Sequence, residues 1–567
     1  MTPQYAALSP GQTVKFTANV NGGGAVAWLV NSVAGGNSTF GVIDSKGTYT
    51  APQVALSTNV VIGAALEGSP HTNFATAVVA VVNGGQLTST ANNQVVAYSI
   101  YLPAPGTVSV EFGSNALHTS AQPTPSPYGG MVHVYVAGML AQTVYHMHAI
   151  VKLANGSTFE DNDHVFMTGS APRTSAVQIS QTASELPEPG VELFDTVLPH
   201  TSAQLFATDL QGNVIWTYQY SGSSSDAVQG ATLLPNGDLL VLISFLSSLP
   251  PPIIAGLPGN TIDVIREIDL AGNTIRELTR DQLNQLLNAQ GHNFNLQGFH
   301  HDVVALPNGH LIVLADYRVA YQNLRGYTAT TSVLGDVLVD VDQNLTPTWV
   351  WSTFDHLDVN RHPMNFPDWT HGNAVLYSAD DHNLLFSMRH QNWIIKIDYA
   401  DGHGSGNIMW RLGPGGDFKL LGGIDPTDWF YAQHGPSFFS SNTTGVFQLG
   451  VMDNGDDRQF PPGVICGSAG SPPCHYSTAP VLRIDETART ATLISRYTAP
   501  ADLYSFFGGN VSRLSNGDTE ADFCAPTSGA VVKELRDGGE LVWQATTPGA
   551  DQFRAQRLPS LYPGVQW

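Results

Sequence analysis

Three histidines occupy the same position in consecutive copies of a repeated sequence, and histidine can act as a nucleophile, an acid or a base. Alignment of a recurring strand–turn–strand segment places His301, His371 and His434 in register, with Gln229 and Gly509 at this position in the flanking copies. A neutral imidazole is a nucleophile, and a pKa of about 6.5 leaves much of the side chain neutral near pH 7. Three consecutive repeats in register indicate a functional cluster rather than a coincidence.

The polar residues beside these histidines suit an anionic ligand. Asn373 follows His371 by two positions, so both side chains face the same way on a strand. Arg389 ends the next strand and would reach the same space. A buried arginine needs an anionic partner, and the aligned positions hold no carboxylate, so we expect the substrate to be that anion. Of the adjacent pair His300 and His301, strand alternation lets only one face the centre, and the register favours His301.

The repeated unit is predicted to be a four-stranded β-structure. Residues 230–242 and 302–314 each contain Leu-Pro-Asn-Gly between apolar runs, and Asn-Gly is the strongest short signal for a β-hairpin. A second hairpin, with an Asp or Gly turn and often a final Trp, recurs along the same segment. Its six turns lie near Asp209, Asp269, Asp342, Asp398, Asp485 and Asp537, with Trp216, Trp349, Trp410 and Trp543 at four of the strand ends. Two hairpins per period give four strands, which is the unit of a propeller blade.

We therefore predict a six-bladed β-propeller over residues 176–567, in which the first strand of each blade lines a central channel. The aligned histidines start those first strands, so they should converge on the axis. The first blade lacks a hairpin of the first kind, and residues 553–564 are expected to supply its missing strand. The two ends of the propeller would then share one blade and close the ring.

Two smaller β-domains precede the propeller in the predicted all-β fold. In residues 1–85, apolar runs at 60–66 and 74–82 between glycine turns indicate a β-sandwich, and part of it resembles a strand motif of bacterial Ig-like domains. Residues 86–175 indicate a second sandwich, in which the strand around Tyr145 resembles the tyrosine-corner strand of fibronectin type III domains. His146 and His148 share a face of that strand. Two surface histidines are favoured over a metal site, because no third ligand is evident.

Charge and cysteine content narrow the partners and the compartment. The net charge of −23, from 46 acidic against 23 basic residues, argues against binding to nucleic acid. Cys466 and Cys474 bracket a short loop, and we expect a disulfide there, with two free thiols as the alternative. A disulfide favours a periplasmic or secreted protein. The first residues lack a signal-peptide pattern, so any signal has been cleaved or lies outside this sequence, and no apolar run approaches the length of a membrane span.

Four motifs around the polar residues resemble one enzyme family. Gly-Phe-His-His-Asp at 298–302, Asp-Trp-Thr-His-Gly-Asn at 368–373, Ser-Met-Arg-His at 387–390 and Gln-His-Gly-Pro at 433–436 resemble signatures of the bacterial PAPS-independent arylsulfotransferases. The likeness extends over most of residues 176–567. It implies a six-bladed propeller with a small N-terminal β-sandwich, and a ping-pong transfer of a sulfuryl group from an aryl sulfate donor to a phenolic acceptor.

The resemblance also implies roles for the aligned residues. His434 would be the nucleophile that carries the sulfuryl group as a sulfohistidine, and Arg389, His371, Asn373 and His301 would be donors to the sulfuryl oxygens. No nucleotide donor, metal or other cofactor is implied. This chain is predicted to have two N-terminal sandwiches, whereas members of the family have one. The sequence does not decide whether the protein forms a homodimer.

Other functions are compatible with parts of this pattern. A metal-dependent propeller hydrolase of an anionic ester would also bring histidines to the axis, although an aligned carboxylate would be expected. A non-catalytic anion-binding propeller is the other alternative. A sulfatase is excluded, because the segment from Cys524 to Ser528 has Ser where the sulfatase motif needs Arg, and the absence of a phosphate-binding loop motif argues against a nucleotide sulfate donor.

Aromatic residues near the blade entrances either stack on a phenol ring or, more commonly, serve packing. They are Phe299, Trp369, Trp429, Tyr431, Tyr504, Phe506 and Phe507.

Overall fold

The regular secondary structure of the computed structural model is almost entirely β-strand. It describes residues 1–19, 23–54, 56–68, 75–116, 119–182, 186–198, 203–220, 226–245, 263–364, 366–442, 444–467, 471–536 and 538–567. The predicted turn at Asp537 and the start of the predicted strand at Phe74 lie outside these residues. Within them, the chain divides into two compact units, one of Met1–Ala171 with Ser560–Trp567 and one of Pro172–Pro559.

The described residues of the first unit form four β-sheets. Its strands are β1 (Tyr5–Leu8), β2 (Thr13–Lys15), β3 (Val26–Val30), β4 (Val33–Ala34), β5 (Gly36–Asn37), β6 (Gly41–Ile43), β7 (Thr48–Thr50), β8 (Thr58–Leu66), β9 (Ala75–Val81), β10 (Gln86–Ser89), β11 (Val96–Leu102), β12 (Gly106–Gly113), β13 (Thr119–Ser120), β14 (Thr124–Ser126), β15 (Gly130–Val136), β16 (Val144–Leu153), β17 (Thr158–Glu160) and β18 (His164–Met167). The sheet orders are β1-β9-β8-β3-β4, β2-β7-β6-β5, β10-β11-β15 and β13-β12-β16-β17, with β14 on β12 and β18 on β16.

Alternating burial defines the inner faces of this unit. Along β11 and β12 every second residue is buried, as expected for strands with one face on a core. His146 on β16 is exposed and lies 2.7 Å from Asp163, which follows the prediction of a surface histidine. His148 is half-buried and lies 3.6 Å from Glu111. The last residues of the chain join this unit, where the Tyr562 hydroxyl donates to the Tyr135 carbonyl.

The second unit contains six sheets in the part of the chain that is described. Its strands are β19 (Gln178–Gln181), β20 (Val191–Leu198), β21 (Leu205–Thr208), β22 (Val214–Tyr218), β23 (Asp226–Leu233), β24 (Leu239–Phe245), β25 (Val264–Ile268), β26 (Thr274–Thr279), β27 (Leu296–Ala305), β28 (Leu311–Tyr321), β29 (Thr331–Val341), β30 (Pro347–Ser352), β31 (Gly372–Ser378), β32 (Asn383–Met388), β33 (Trp393–Ile397), β34 (Ile408–Leu412), β35 (Lys419–Leu421), β36 (His434–Phe438), β37 (Val446–Met452), β38 (Thr478–Asp485), β39 (Thr490–Thr498), β40 (Val511–Arg513), β41 (Thr519–Phe523), β42 (Gly529–Leu535), β43 (Leu541–Pro548) and β44 (Asp551–Leu558). Among the described residues, two α-helices lie between strands, α1 (Arg280–Ala289) and α2 (Thr353–His356).

Each of these sheets follows the chain order of the predicted hairpins. The orders are β22-β21-β20-β44, β23-β24-β25-β26, β27-β28-β29-β30, β31-β32-β33-β34, β36-β37-β38-β39-β35 and β40-β41-β42-β43-β19. The final strand pairs antiparallel with β20, which confirms that the C-terminal segment completes the first sheet. That strand ends at Leu558 rather than near residue 564, because Ser560–Trp567 belongs to the first unit.

The Asn-Gly turns form as the sequence predicts. In the two Leu-Pro-Asn-Gly copies, and in a weaker third copy with Leu-Ser-Asn-Gly at 514–517, the glycine N–H donates to the leucine carbonyl three residues earlier, from Gly237, Gly309 and Gly517. Their φ angles of 93°, 84° and 94° lie in the left-handed region, which glycine enters without steric cost. The same local turn therefore starts each return strand at the same distance from the aligned position.

Tryptophans at the ends of the fourth strands connect neighbouring sheets. The indole N–H groups of Trp216, Trp351 and Trp543 donate to the carbonyls of Leu270, Gly406 and Leu210, respectively. In the third sheet this residue is Trp351, whereas the sequence pattern singled out Trp349. The bond from Trp543 joins the last sheet to the first.

Candidate active site

A β-bulge interrupts the first strand of four successive sheets at the aligned position. The pairing register shifts between Val228 and Ala231, between Phe299 and Val303, between Gly372 and Ala374, and between His434 and Ser437. His301 and His371 have φ angles of 62° and 48°, a conformation that is uncommon outside glycine and is concentrated at functional sites. The bulges re-aim the side chains at the aligned positions.

The three aligned histidines lie together, as the register predicted. The ring centroid of His301 is 4.9 Å from that of His371 and 6.1 Å from that of His434. The Phe553 ring from β44 packs 5.3 Å from His301 and 6.4 Å from His434. His301 and His434 are buried, and His371 is half-buried. The site is therefore enclosed, with imidazoles from three adjacent sheets.

His300 also faces this site, so the expectation that only one of the pair His300 and His301 would do so is wrong. Their Nδ1 atoms are 2.8 Å apart, and both residues are buried. The bulge between Phe299 and Val303 breaks the strict alternation on which the expectation rested. The backbone N–H of His301 is held by Gln229 Oε1 at 2.8 Å, so the aligned residue of the preceding sheet fixes this bulge.

Hydrogen bonds determine which nitrogen of His434 carries a proton. Its Nδ1 lies 2.7 Å from Asn454 Oδ1 and 3.2 Å from the Ala432 carbonyl, and both are acceptors. The Asn454 amide cannot be reversed without loss of two bonds, because its Nδ2 donates to the carbonyls of Ser505 and Gly508 at 2.8 and 3.1 Å. Nδ1 is therefore the protonated nitrogen, and Nε2 of neutral His434 has a free lone pair.

The surroundings set opposite protonation states on the clustered histidines. Burial, and then the charge of Arg389, lowers the pKa of His434 well below its usual value. Burial, followed by the charges of His371 and His300, likewise lowers the pKa of His301. Burial opposes charge on His300 too, but the carboxylates of Asp336 and its neighbours outweigh it and raise the pKa of His300 to about 9. Near neutral pH, His434 and His301 are neutral and His300 is an imidazolium.

Arg389 reaches the site but already has an anionic partner. Its Nη2 donates to Asp456 Oδ2 at 2.7 Å and to the Phe506 carbonyl at 2.9 Å, and its Nη1 donates to His390 Nε2 at 2.7 Å. The expectation that only the substrate could neutralise this arginine is wrong. Asp456 lies in the loop after β37, outside the repeat register, so the alignment could not reveal it. The Nε–H of Arg389 is buried and finds no acceptor among the described residues.

Asn373 is buried next to the cluster, but its amide N–H is engaged. Nδ2 donates to the Gln433 carbonyl at 2.6 Å, and Gln433 directly precedes His434. Asn373 Oδ1 has no hydrogen-bond partner in the described part of the chain. The contact joins β31 to the start of β36, so Asn373 supports the backbone that carries His434.

Two residues that the repeat alignment did not single out complete the cluster. Asp368 Oδ2 accepts a hydrogen bond from His371 Nδ1 at 2.7 Å, and the His390 ring stacks on His371 with centroids 4.5 Å apart. Burial disfavours charge on Asp368, but the surrounding histidines, His371 first, hold its pKa below the usual range. Burial, together with His371, lowers the pKa of His390 to about 3. Asp368 and His390 lie in the same sequence motifs as His371 and Arg389, and this proximity was the sequence signal that could have identified them.

Asp368, His371 and His390 are also the residues that could hold a metal ion, since their ligand atoms lie within 4.8 Å of one another. One carboxylate and two imidazoles suit a transition metal. However, His390 uses Nδ1 on the Asp368 carbonyl and Nε2 on Arg389. A metal there would have to displace one of these hydrogen bonds.

The structure also describes the predicted disulfide and the predicted aromatic residues. Cys466 and Cys474 form the predicted disulfide, and Cys524 is a buried free thiol. Phe299, Trp369, Trp429 and Tyr431 are buried packing residues, whereas Phe506 is 51% exposed. The Phe506 carbonyl accepts a hydrogen bond from Arg389. Of the predicted aromatic residues, Phe506 is therefore the candidate whose ring would contact a phenol.

A comparison of the sequence with protein families identifies a family for this chain. The family model described as Arylsulfotransferase (ASST) matches residues 176–537. The chain belongs to the arylsulfotransferase family. It is thus a member of a sulfotransferase enzyme family, and its histidine cluster lies within the matched residues. No curated protein matches the chain.

Solved structures with detectable similarity are remote from this arylsulfotransferase family member. Purple acid phosphatase PPD1 from yellow lupin (Lupinus luteus) seeds is 14% identical with a TM-score of 0.15, covering 24% of this chain and 29% of that one. A puromycin-hydrolyzing peptidase of Mycobacterium tuberculosis is 10% identical with a TM-score of 0.27, covering 80% and 59%. The FN1–FN3 domains of chicken CNTN1 are 10% identical with a TM-score of 0.15, covering 43% and 90%. The chain thus spans less than two thirds of the length of the first two structures.

Proposed function

We propose that this protein transfers a sulfuryl group from a phenolic sulfate ester to a phenolic acceptor by a ping-pong mechanism, through a sulfohistidine at His434 and without a nucleotide donor. The observation that carries the proposal is the free lone pair on His434 Nε2, imposed by the bond from Nδ1 to Asn454. A neutral nucleophile held beside a guanidinium and other imidazoles suits attack on an anionic ester.

We also propose that residues 176–567 form a six-bladed propeller, preceded by sandwiches over residues 1–85 and 86–175. Three observations support the propeller. The first strands β23, β27, β31, β36 and β40 contact one another in succession, and β44 contacts β23. One cavity is lined by residues from all six sheets. The hydrogen bond from Trp543 to Leu210 joins the last sheet to the first.

In the first half-reaction, the Nε2 lone pair of His434 attacks sulfur, and the bond from sulfur to the phenolic oxygen breaks. Negative charge spreads over the sulfuryl oxygens, by analogy with phosphoryl transfer. Arg389, His371 and His301 are the groups that would stabilise this charge. In the second half-reaction, an acceptor phenolate attacks the same sulfur and releases His434 with its lone pair restored.

His300 and His301 together form a proton relay for the departing phenolate. Since protonated His300 donates from Nδ1 to His301 Nδ1, neutral His301 carries its own proton on Nε2. His301 would give this proton to the phenolate while His300 returns one to Nδ1. The acceptor phenol reverses both transfers, so no net proton is lost over the cycle. General acid catalysis of this kind contributes most when the leaving group is a poor one.

Replacement of His300 by asparagine tests the relay through pH and leaving group. Since the pKa of His300 is raised to about 9, its proton is present below that pH and lost above it. We expect turnover of phenyl sulfate to fall above about pH 9 in the unaltered protein. In His300→Asn the first half-reaction with phenyl sulfate should be slower by about 10²-fold and lack that alkaline limb, with a much smaller loss for the first half-reaction with p-nitrophenyl sulfate. His310→Asn, which removes a histidine 2.9 Å from Asp340 elsewhere in the unit, is the matched control. An equal loss on both substrates would contradict the relay.

The overall reaction is tested with p-nitrophenyl sulfate, with and without phenol as acceptor. We expect nitrophenol release to depend strongly on phenol, with phenyl sulfate formed in equal amount. Equal release in both cases would indicate a hydrolase instead. Tight binding without turnover would indicate an anion-binding propeller.

A metal-dependent hydrolase is the second candidate, and the Asp368, His371 and His390 cluster favours it. Its signature would be activity that a chelator abolishes and zinc restores. The proposed transferase should keep its activity after chelation. The disulfide between Cys466 and Cys474 supports a periplasmic or secreted location for either function. In the described residues, no helix has the length and apolar character needed to span a membrane.

A further inference from the structure

A cavity of about 270 Å³ adjoins the histidine cluster. Its lining follows the aligned positions along each first strand: Ala231 and Thr232 after Gln229, Val303 to Ala305 after His301, Ala374 to Leu376 after His371, Gly435 to Ser437 after His434, and Asn510 and Ser512 after Gly509. None of the aligned histidines lines it. Because the strands lead from the histidines into this lining, the cavity begins where the histidine cluster ends.

The cavity reaches solvent. Thr232 and Gln556 line it and are themselves exposed. Ala374 and Gly435, which lie closest in sequence to His371 and His434, are buried. Water can therefore enter the cavity, and the polar lining from Ser437 and Ser512 suits it.

The ion pair of Asp302 with Arg554 lies at the end of this cavity next to the histidines. Arg554 Nη1 donates to Asp302 Oδ1 at 3.0 Å, and Arg554 Nη2 donates to the Asn373 carbonyl at 2.9 Å. Asp302 Oδ2 accepts from the Val375 N–H at 2.9 Å. The pair thus connects β27, β31 and β44 across the end of the cavity.

The ion pair lies directly behind the reacting groups. Asp302 follows His301 in sequence, and Arg554 follows Phe553, the ring that packs on both His301 and His434. Arg554 also lies over the Phe553 ring, 5.1 Å from its centroid. Loss of the guanidinium would remove the group that separates the cavity from this ring and from the Asn373 backbone.

We propose that the Asp302–Arg554 pair is a water barrier that makes the site choose a phenol over water as acceptor. This inference rests on the proposed sulfohistidine. Water from the cavity would attack the sulfur and break its bond to His434 Nε2, which yields hydrogensulfate in place of a new aryl sulfate. The other proton of the water would pass to His301, as the proton of the acceptor phenol otherwise does. Exclusion of water from a site with a reactive intermediate prevents this side reaction. Neither residue touches the sulfuryl group, so the pair determines acceptor specificity rather than the rate of the first half-reaction.

The test measures partitioning in variants that open the barrier. With p-nitrophenyl sulfate and phenol, the ratio of inorganic sulfate to phenyl sulfate is determined for the unaltered protein, Arg554→Ala, and the charge-balanced double variant Asp302→Asn with Arg554→Ala. The matched control is Arg496→Ala. Arg496 also pairs with an aspartate, Asp428, whose other carboxylate oxygen accepts a backbone N–H. The side chains of Arg496 and Asp428 are 25% and 10% exposed, close to the 23% and 12% of Arg554 and Asp302. Arg496 lies on β39, three strands away from β36.

We expect the sulfate-to-phenyl-sulfate ratio to rise about tenfold in both barrier variants, equivalent to about 1.4 kcal/mol, with the nitrophenol burst of the first half-reaction retained. The Arg496→Ala ratio should match that of the unaltered protein. An unchanged ratio in a folded double variant that still gives the burst would overturn the barrier. An unaltered protein without phenol-dependent release would instead refute the proposed function, so the two failures are distinguishable.

Discussion

Replacement of His434 by alanine is expected to lower kcat/KM for sulfuryl transfer by about 10⁴-fold or more, the loss typical of removing a covalent nucleophile. Two neighbouring imidazoles lack the free lone pair that a nucleophile needs. His390 uses both ring nitrogens in hydrogen bonds, and His301 accepts from His300 at Nδ1. The fixed Asn454 amide orients neutral His434 with its Nε2 lone pair free. Steady-state assays with p-nitrophenyl sulfate and phenol measure the loss.

Trapping of the sulfohistidine intermediate tests whether His434 is the nucleophile. Brief incubation with donor and no acceptor, followed by quenching at alkaline pH and mass spectrometry, should show a sulfuryl adduct on the peptide that contains His434. The adduct should be absent from His434→Ala and present in His382→Ala, which removes an exposed histidine paired with Asp401 in the same unit. Near-normal turnover in His434→Ala, or an adduct on another residue, would refute the assignment.

The convergence of the histidines could be predicted from the sequence alone, because two kinds of repeat signal give the same register. The Asn-Gly turns at Gly237 and Gly309 put Gln229 and His301 at equivalent places in their sheets. The hydrophobic pattern of the next two strand–turn–strand segments puts His371 and His434 in the same register. This is why His301, His371 and His434 were brought together correctly without any knowledge of contacts.

The bulges limited the prediction of side-chain direction. A regular strand alternates, so the pattern allowed only one of His300 and His301 to face the site. In the structure the register slips by two residues between Phe299 and Val303, and both rings turn inward. A bulge depends on cross-strand partners such as Gln229, which are distant in sequence, and so no local pattern signals it.

The groups that orient the cluster were missed for a different reason. Asp456 and Asn454 lie in the loop that follows β37, and Asp368 lies in the loop before β31. Loop residues are not constrained by strand register, so they cannot be aligned between repeats. The charge balance of Arg389 and the tautomer of His434 therefore became visible only in three dimensions.

The second large effect is expected at Asn454, which touches no predicted substrate position. Replacement by leucine removes the acceptor for His434 Nδ1–H, so the imidazole is free to place its proton on Nε2 and lose its lone pair toward the substrate. Loss of tautomer control in catalytic histidines costs orders of magnitude, and we expect kcat to fall by about 10²–10³-fold. KM should change little, because the donors to the sulfuryl oxygens stay in place.

Replacement of Asn454 by aspartate separates this orienting role from a purely structural one. A carboxylate next to Nδ1 stabilises the imidazolium and raises the pKa of His434, which is strongly depressed in the unaltered protein. The nucleophile is then protonated at low and neutral pH and becomes available as the pH rises, so activity should recover toward alkaline pH in Asn454→Asp but not in Asn454→Leu. Leucine and aspartate variants at Asn383, a buried asparagine whose Oδ1 accepts the Tyr399 N–H away from the histidines, control for the cost of losing a buried amide. If both Asn454 variants instead lost activity equally at every pH, Asn454 would be a folding residue, and the lone pair on which the mechanism depends would need another origin.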